Sequence, residues 1–365
     1  MMRTVLLGDI ADINPESINK HYVHEKIHYL DTSSVTENIF SELQHMRLVD
    51  APSRAKRVIC HGDIVYSTVR PNLKHFGYIK KLPENTIAST GFAVIRAKET
   101  VNSRYLYYWL SSDERTEYLT SIADSQTSTF PAFNPSMLEK LVLTIPDLAE
   151  QKKIADILGT IDEKIELNRK MNETLEQIGQ ALFRHYFVDN PEAENWQKRE
   201  LGEFFPIKTG KKDANFGTED GKYPFFTCAQ TVSRAPNFSF DAHALLLAGN
   251  GDFNLKLHRG KFEAYQRTYV LVPEDEGLVG LLYFLMKLKL PEITGGSRGS
   301  VIKFITKGMI ENYKFALPGN KQLTEIAEVF NQLTINIEEN NQQIQTLTTL
   351  RDTLLPHLIG GKLKV

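Results

Sequence analysis

The chain has 365 residues, 41% of them apolar and 24% charged, with a net charge of −2. That length exceeds what one core usually fills, so two or three domains are expected, and no apolar run approaches the roughly 18 residues of a membrane span. Cys60 and Cys228 lack metal-ligand spacing and read as buried thiols, which makes the cytoplasm the default compartment.

The opening "MMRTVLLGDIADI" reads as the first strand of a domain and not as a signal peptide. Strands follow from β-branched and aromatic runs such as "DIVYSTV", and a helix from "SRYLYYWLSS". Helical spacing makes Tyr105, Leu106, Trp109 and Leu110 core residues and not a base-stacking platform. "FNPSM" at 133–137 lacks the second proline and the aromatic residue of the amino-methyltransferase signature and reads as a strand-entry turn. After Pro146 comes a long helix, then "LGEFFPI", the strand "TYVLV", the helix "GLVGLLYFLMKL" and, after Pro318, a second long helix.

The expected segments are a globular domain at 1–146, a spacer helix at 147–196, a second domain at 197–318 and a C-terminal helix at 319–365. They carry 16 basic and 16 acidic side chains, 6 and 11, 17 and 13, and 4 and 5, hence net charges of 0, −5, +4 and −1. The alternation prompts a search for a repeat. A shift of 172 places Pro146 on Pro318, Ile154 on Ile326, Glu166 on Glu338 and Asn168 on Asn340 without a gap. Fainter matches join "LGDIADI" to "LGEFFPI", "GFAVIRA" to "RTYVLVP", "YLYYWLSS" to "GLLYFLMK" and "FNPSMLEKLVLTIP" to "ITKGMIENYKFALP". The fold class is α+β: two mixed α/β domains and two long antiparallel coiled-coil helices, related by a pseudo-twofold repeat.

Ile154, Ile161, Leu175 and Leu182, with Ile326, Leu333, Leu347 and Leu354, form an apolar seam at heptad steps. Helices of about 37 residues would reach roughly 55 Å. In an antiparallel pair Asn168 is expected to face Asn340, and the buried amides would fix register, since a slipped Asn against Leu costs about 1–3 kcal/mol.

Order and motifs together resemble the specificity subunit of type I restriction-modification enzymes. The strings that carry the resemblance are "LGDIADI", "IPDLAEQKKIADILGTIDEKIELNRK", "FPIKTGKKD" and "TLTTLRDTLLPHLIGGKLKV". The second spacer, "ALPGNKQLTEIAEVF", lacks the Glu-Gln-Lys-Lys run of the first. The resemblance implies two target-recognition domains, each reading half of a split double-stranded DNA sequence. Its helices would set half-site spacing and dock two methyltransferase subunits, with restriction/translocase subunits completing the complex in a bacterial or archaeal cytoplasm. It implies no catalytic residue, metal or cofactor on this chain: S-adenosylmethionine belongs to the methyltransferase, and ATP and Mg to the restriction subunit. Two domains offset by about 34–36 Å can address successive major grooves.

Arg70, Asn72, Lys74 and His75 crowd one Pro-containing turn, with Ser128 and Thr129 downstream. Asn250, Asn254, Lys256, His258, Arg259 and Lys261 crowd a Gly-rich loop, joined by Arg298 and Lys303 around "GGSRGS". Such clusters suit phosphate and base-edge contacts. Apolar helix positions beyond the seam, Leu158, Met171, Ile178, Phe183, Phe330, Ile344 and Leu350, are expected to be exposed for partner subunits. No Walker loop, dinucleotide fingerprint or metal-spaced His/Cys cluster is present in the sequence. A second reading stays open: a coiled-coil scaffold whose globular ends bind proteins.

Overall fold

A computed structural model describes residues 2–19, 21–126, 131–299 and 302–365. Two compact units result, Met1–Lys164 with Leu347–Val365, and Ile165–Thr346. The long helices Leu148–Phe183 and Asn320–Ile359 each contribute to both units.

In the first unit, Arg3–Leu6 pairs antiparallel with Val142–Ile145, the strand that leads into the first long helix. One sheet runs in the order Ala11–Ile13, Phe92–Ala97, Ile64–Ser67, Phe76–Tyr78, with antiparallel neighbours throughout. A second sheet, Gln44–Arg47, Lys26–Leu30, Thr86–Ser89, Ala55–Val58, contains one parallel pair. The helix Ser103–Leu110 is capped by Asn102, whose side chain accepts from the Tyr105 N–H at 2.9 Å. It buries Tyr105, Leu106, Trp109 and Leu110, as their spacing predicts, against Ile154, Ala155 and Leu158 of the first long helix and Leu358 of the second.

Polar bonds fix that packing. Tyr108 Oη donates to Asp162 Oδ2 at 2.7 Å, and Arg351 Nη1 lies 3.1 Å from Asp162 Oδ1. Burial, helped by the Asp162 charge, drives the Tyr108 phenol far above its ordinary range, so it stays a donor. Gln151, from the Glu-Gln-Lys-Lys run, is fully buried; it accepts from the Asn102 N–H at 2.9 Å and donates to Pro146 O at 2.8 Å.

The second unit repeats this plan. Gln197–Glu200 pairs with Lys314–Leu317, and a six-stranded sheet begins Ile207–Thr209, Thr268–Leu271, Phe240–Ala248, Leu255–Ala264, the same order as the antiparallel sheet of the first unit. Tyr223–Phe226 and Ser233–Ala235 extend it. The helix Val279–Thr294 approaches the second long helix so closely that a Cβ on Gly280 would meet the Phe330 backbone at 2.5 Å. Only glycine fits there. Tyr283, at the repeat position of Tyr108, donates to Glu176, which also pairs with Lys287 Nζ at 2.6 Å.

Both long helices hold the expected seam residues at least partly buried, and Asn168 and Asn340 are buried. Their partners differ from expectation. Asn168 Nδ2 donates to Gln343 Oε1 at 3.1 Å and Asn340 Nδ2 to Asn172 Oδ1 at 2.9 Å, about one turn away from an Asn168–Asn340 layer. Side chains on each helix lean toward its own N-terminus, so contacts in an antiparallel pair shift by about one residue on each side, roughly half the offset.

Three positions expected at a partner interface are core instead. Leu158 packs in the first unit, and Phe183 and Phe330 in the second, each at most 1% exposed. A two-helix seam leaves them uncovered, but the domain helices Ser103–Leu110 and Val279–Thr294 supply a third packing surface. Met171, Ile178 and Leu350 are exposed and Ile344 is partly covered. Cys60 is likewise exposed and Cys228 half-buried, both as free thiols, where burial was expected: the turn that ends at Asp63 carries Cys60 to the surface.

Candidate nucleic-acid interface

Each unit closes its central hairpin with a polar loop, and each loop is stitched to a distant segment by the same bonds. In the first, the Arg70 N–H donates to Pro131 O at 2.8 Å and the Phe133 N–H to Thr68 O at 3.0 Å, around a Val69–Ala132 bridge. In the second, the Gly251 N–H donates to Lys303 O at 2.8 Å and the Ile305 N–H to Gly249 O at 3.0 Å, around an Asn250–Phe304 bridge. Arg298 bridges the other side of Phe304. Tyr269 Oη anchors the pair by donating to Ile305 O at 3.0 Å.

The backbone at these places is unusual. Arg70 and Lys74 have φ of 47° and 54°, bracketing the single turn Pro71–Leu73, and Gly251 has φ of 73°. Positive φ at non-glycine residues is uncommon and costs free energy.

The residues singled out from sequence now divide. Arg70, Asn72, Arg298 and Lys303 are exposed and Asn250 is half-exposed, all on the stitched loops. Arg70 also has an interaction within the protein. Lys74 is engaged by Asp113 at 2.8 Å and Glu37 at 3.3 Å; burial alone would lower its pKa, but these carboxylates outweigh it and raise it. His75 Nδ1 lies 2.6 Å from Val35 O. Asn254 is buried, donating to Cys228 O and Asp252 O, and Lys256 Nζ donates to Ala229 O at 2.7 Å. Arg259 Nη2 lies 2.9 Å from His243 Nδ1, and its Nε 3.7 Å from Glu338 on the second long helix. Lys261 lies over the Phe238 ring at 4.8 Å. Ser128 and Thr129 lie outside the described residues.

His258 packs beside Phe226 and Phe262, with ring centroids 5.2 and 5.5 Å away, and its Nε2 has no partner among the described residues. Burial lowers its pKa below the ordinary 6.5. The unfolded chain takes up this proton more readily than the folded one, so stability falls as pH drops below about 6.5 and continues to fall toward the folded pKa. His258→Gln should flatten this acid limb in urea titrations followed by Trp196 emission; an identical limb in the variant would refute the assignment.

Sequence reading missed the exposed apolar side chains on the same loops: Val69 and Leu73 in the first unit, Ile302 and Phe304 in the second. It also missed the stitching, although the match of "FNPSM" with "ITKGM" marked where the second strand of each stitch ends. Asn134 opens the short helix Ser136–Glu139 by accepting from the Ser136 N–H at 3.0 Å, so this is a helix-entry turn before the strand and not a strand entry.

Among the described residues, no three His, Cys, Asp or Glu side chains are placed to hold a metal, and no helix is long and apolar enough to cross a membrane. The arrangement is a tandem duplication of one α+β fold, each copy presenting a stitched polar loop pair.

The family described as "Type I restriction modification DNA specificity domain" matches residues 2–177 and 193–349, and the chain belongs to that family. It is 42% identical over 176 residues to the type I restriction enzyme EcoDI specificity subunit of Escherichia coli, a match that covers 46% of this chain and only 39% of that protein. It is 27% identical over 401 residues to the MjaIX specificity subunit of Methanocaldococcus jannaschii, covering 98% of this chain and 88% of that one. The crystal structure of the type I restriction-modification system S subunit from M. genitalium shares the fold, with a TM-score of 0.58 at 17% identity over 98% of this chain and 96% of that chain.

Proposed function

We propose that this chain is the DNA sequence-specificity subunit of a type I restriction-modification complex, each domain reading one half of a bipartite duplex target. The observation that supports this best is the duplication with divergence: one fold and one loop stitch used twice, with unlike side chains on the two loops. Two unlike half-sites call for such a pair. The net charge of +4 on residues 197–318 suits a phosphate backbone.

The long helices set half-site spacing, with buried Asn168 and Asn340 fixing their register. Exposed Met171, Ile178 and Leu350, with Ile344, contribute to the docking of two methyltransferase subunits. Those subunits carry S-adenosylmethionine, and restriction subunits carry ATP and Mg; this chain supplies recognition without catalysis, in the cytoplasm of a bacterium or archaeon.

Salt dependence tests the reading against a protein-binding scaffold. Anisotropy of a labelled duplex, titrated with the chain in complex with its methyltransferase, should give a log affinity that falls linearly with log salt, by about 0.9 per phosphate neutralised. Absence of duplex binding even at low salt would refute it.

A further inference from the structure

We infer that base reading in each domain is confined to the stitched loop pair, by Arg70 and Asn72 in the first domain and by Asn250, Arg298 and Phe304 in the second. This rests on the DNA-recognition reading above and narrows it. Three independent observations converge on these loops. The bond pattern is the same in both copies, Arg70 N–H to Pro131 O matching Gly251 N–H to Lys303 O, although the sequences there have little in common. The fold keeps this geometry and varies what it displays.

The second observation is conformational. Arg70 occupies the left-handed place that Gly251 fills in the other copy. A glycine there would be free of strain, so an arginine is retained at a cost. Arginine can address guanine through two parallel N–H bonds, which glycine cannot.

The third is the company these residues keep. Val69 and Leu73 beside Arg70, and Ile302 and Phe304 beside Arg298, are large apolar side chains between 36% and 59% exposed. An apolar residue next to a bidentate donor suits a major-groove edge, where a thymine methyl adjoins hydrogen-bonding atoms. Two other cations of the clusters lie against carboxylates of the protein, Lys74 against Asp113 and Glu37, and Arg259 against Glu338.

The test is to co-express the full chain with its methyltransferase and map modified bases by sequencing, together with the melting temperature of each variant. Arg70→Gly, which suits the left-handed backbone, should still unfold cooperatively and lose about tenfold or more of its base discrimination at positions of one half-site only. Arg298→Ala and Asn250→Ala should do the same in the other half-site. Loop assignment is overturned if the wild-type complex modifies a split target that all three variants leave unaltered, or if Arg259→Ala changes base choice while Arg298→Ala does not. A wild-type complex that modifies no split target would instead remove the recognition reading itself.

Discussion

Phe330→Ala should cost the second unit about 3–5 kcal/mol, the range for a large aromatic removed from a core that cannot collapse around the cavity. Phe330 is fully buried, with ring centroids of Phe284, Phe183 and Phe187 at 5.6, 6.1 and 6.4 Å. Relaxation is hindered because Gly280 already packs so near the Phe330 backbone that a Cβ there would meet it at 2.5 Å. Trp196, 5.8 Å from Phe187, reports on this cluster. Urea unfolding followed by its emission should shift to a much lower midpoint in the chain without partners. If Phe330 served a partner interface, that midpoint would hold and only partner binding would weaken.

Asp63→Ala should destabilise the first unit by about 3 kcal/mol. Asp63 is 1% exposed and takes two parallel bonds from Arg96, each 2.8 Å, and a third from the Cys60 N–H at 2.8 Å. Removing the carboxylate strands a largely covered guanidinium, left with Glu16 at 3.8 Å, and a backbone donor. Arg96 is 32% exposed, which places the cost at the lower end of the range for broken buried pairs. The double change Asp63→Leu, Arg96→Met should cost less than Asp63→Ala, because no charge remains to be desolvated. Trp109, buried in the same unit, gives the readout; a single variant no worse than the double would contradict the account. Asp63 lies at the foot of Ile64–Ser67, the strand that launches the Arg70 loop, so its loss should also loosen that loop.

The sequence carried the architecture because the repeat is strongest where physics repeats most strictly. Heptad spacing, paired prolines at 146 and 318, and the "LGD" and "LGE" openings all report local geometry. The helix Ser103–Leu110 was legible for the same reason, since its apolar spacing and Asn102 cap are local signals. Contacts between distant segments were not. Nothing near Val69 indicates that Ala132 lies beside it, and nothing near Phe330 indicates a domain helix above it. Seam positions alone suggested a free apolar face, whereas Gly280 and Phe284 cover it.

The candidate interface was half legible for a related reason. Charge clusters locate a polar loop, but composition does not reveal which cations the protein already neutralises. Lys74 and Arg259 are conspicuous in sequence, yet their carboxylate partners, Asp113 and Glu338, are distant in the chain. The Asn pair was read correctly as buried; its partners depended on side-chain lean, which spacing does not encode.

The central claim is that two unlike domains read one split duplex sequence, and genome-wide mapping of modified bases tests it most directly. Cells that express this chain with its methyltransferase should carry modification at a single asymmetric motif made of two short specific blocks separated by a fixed run of unread bases. Modification at a continuous or palindromic site, or none that depends on this chain, would contradict it.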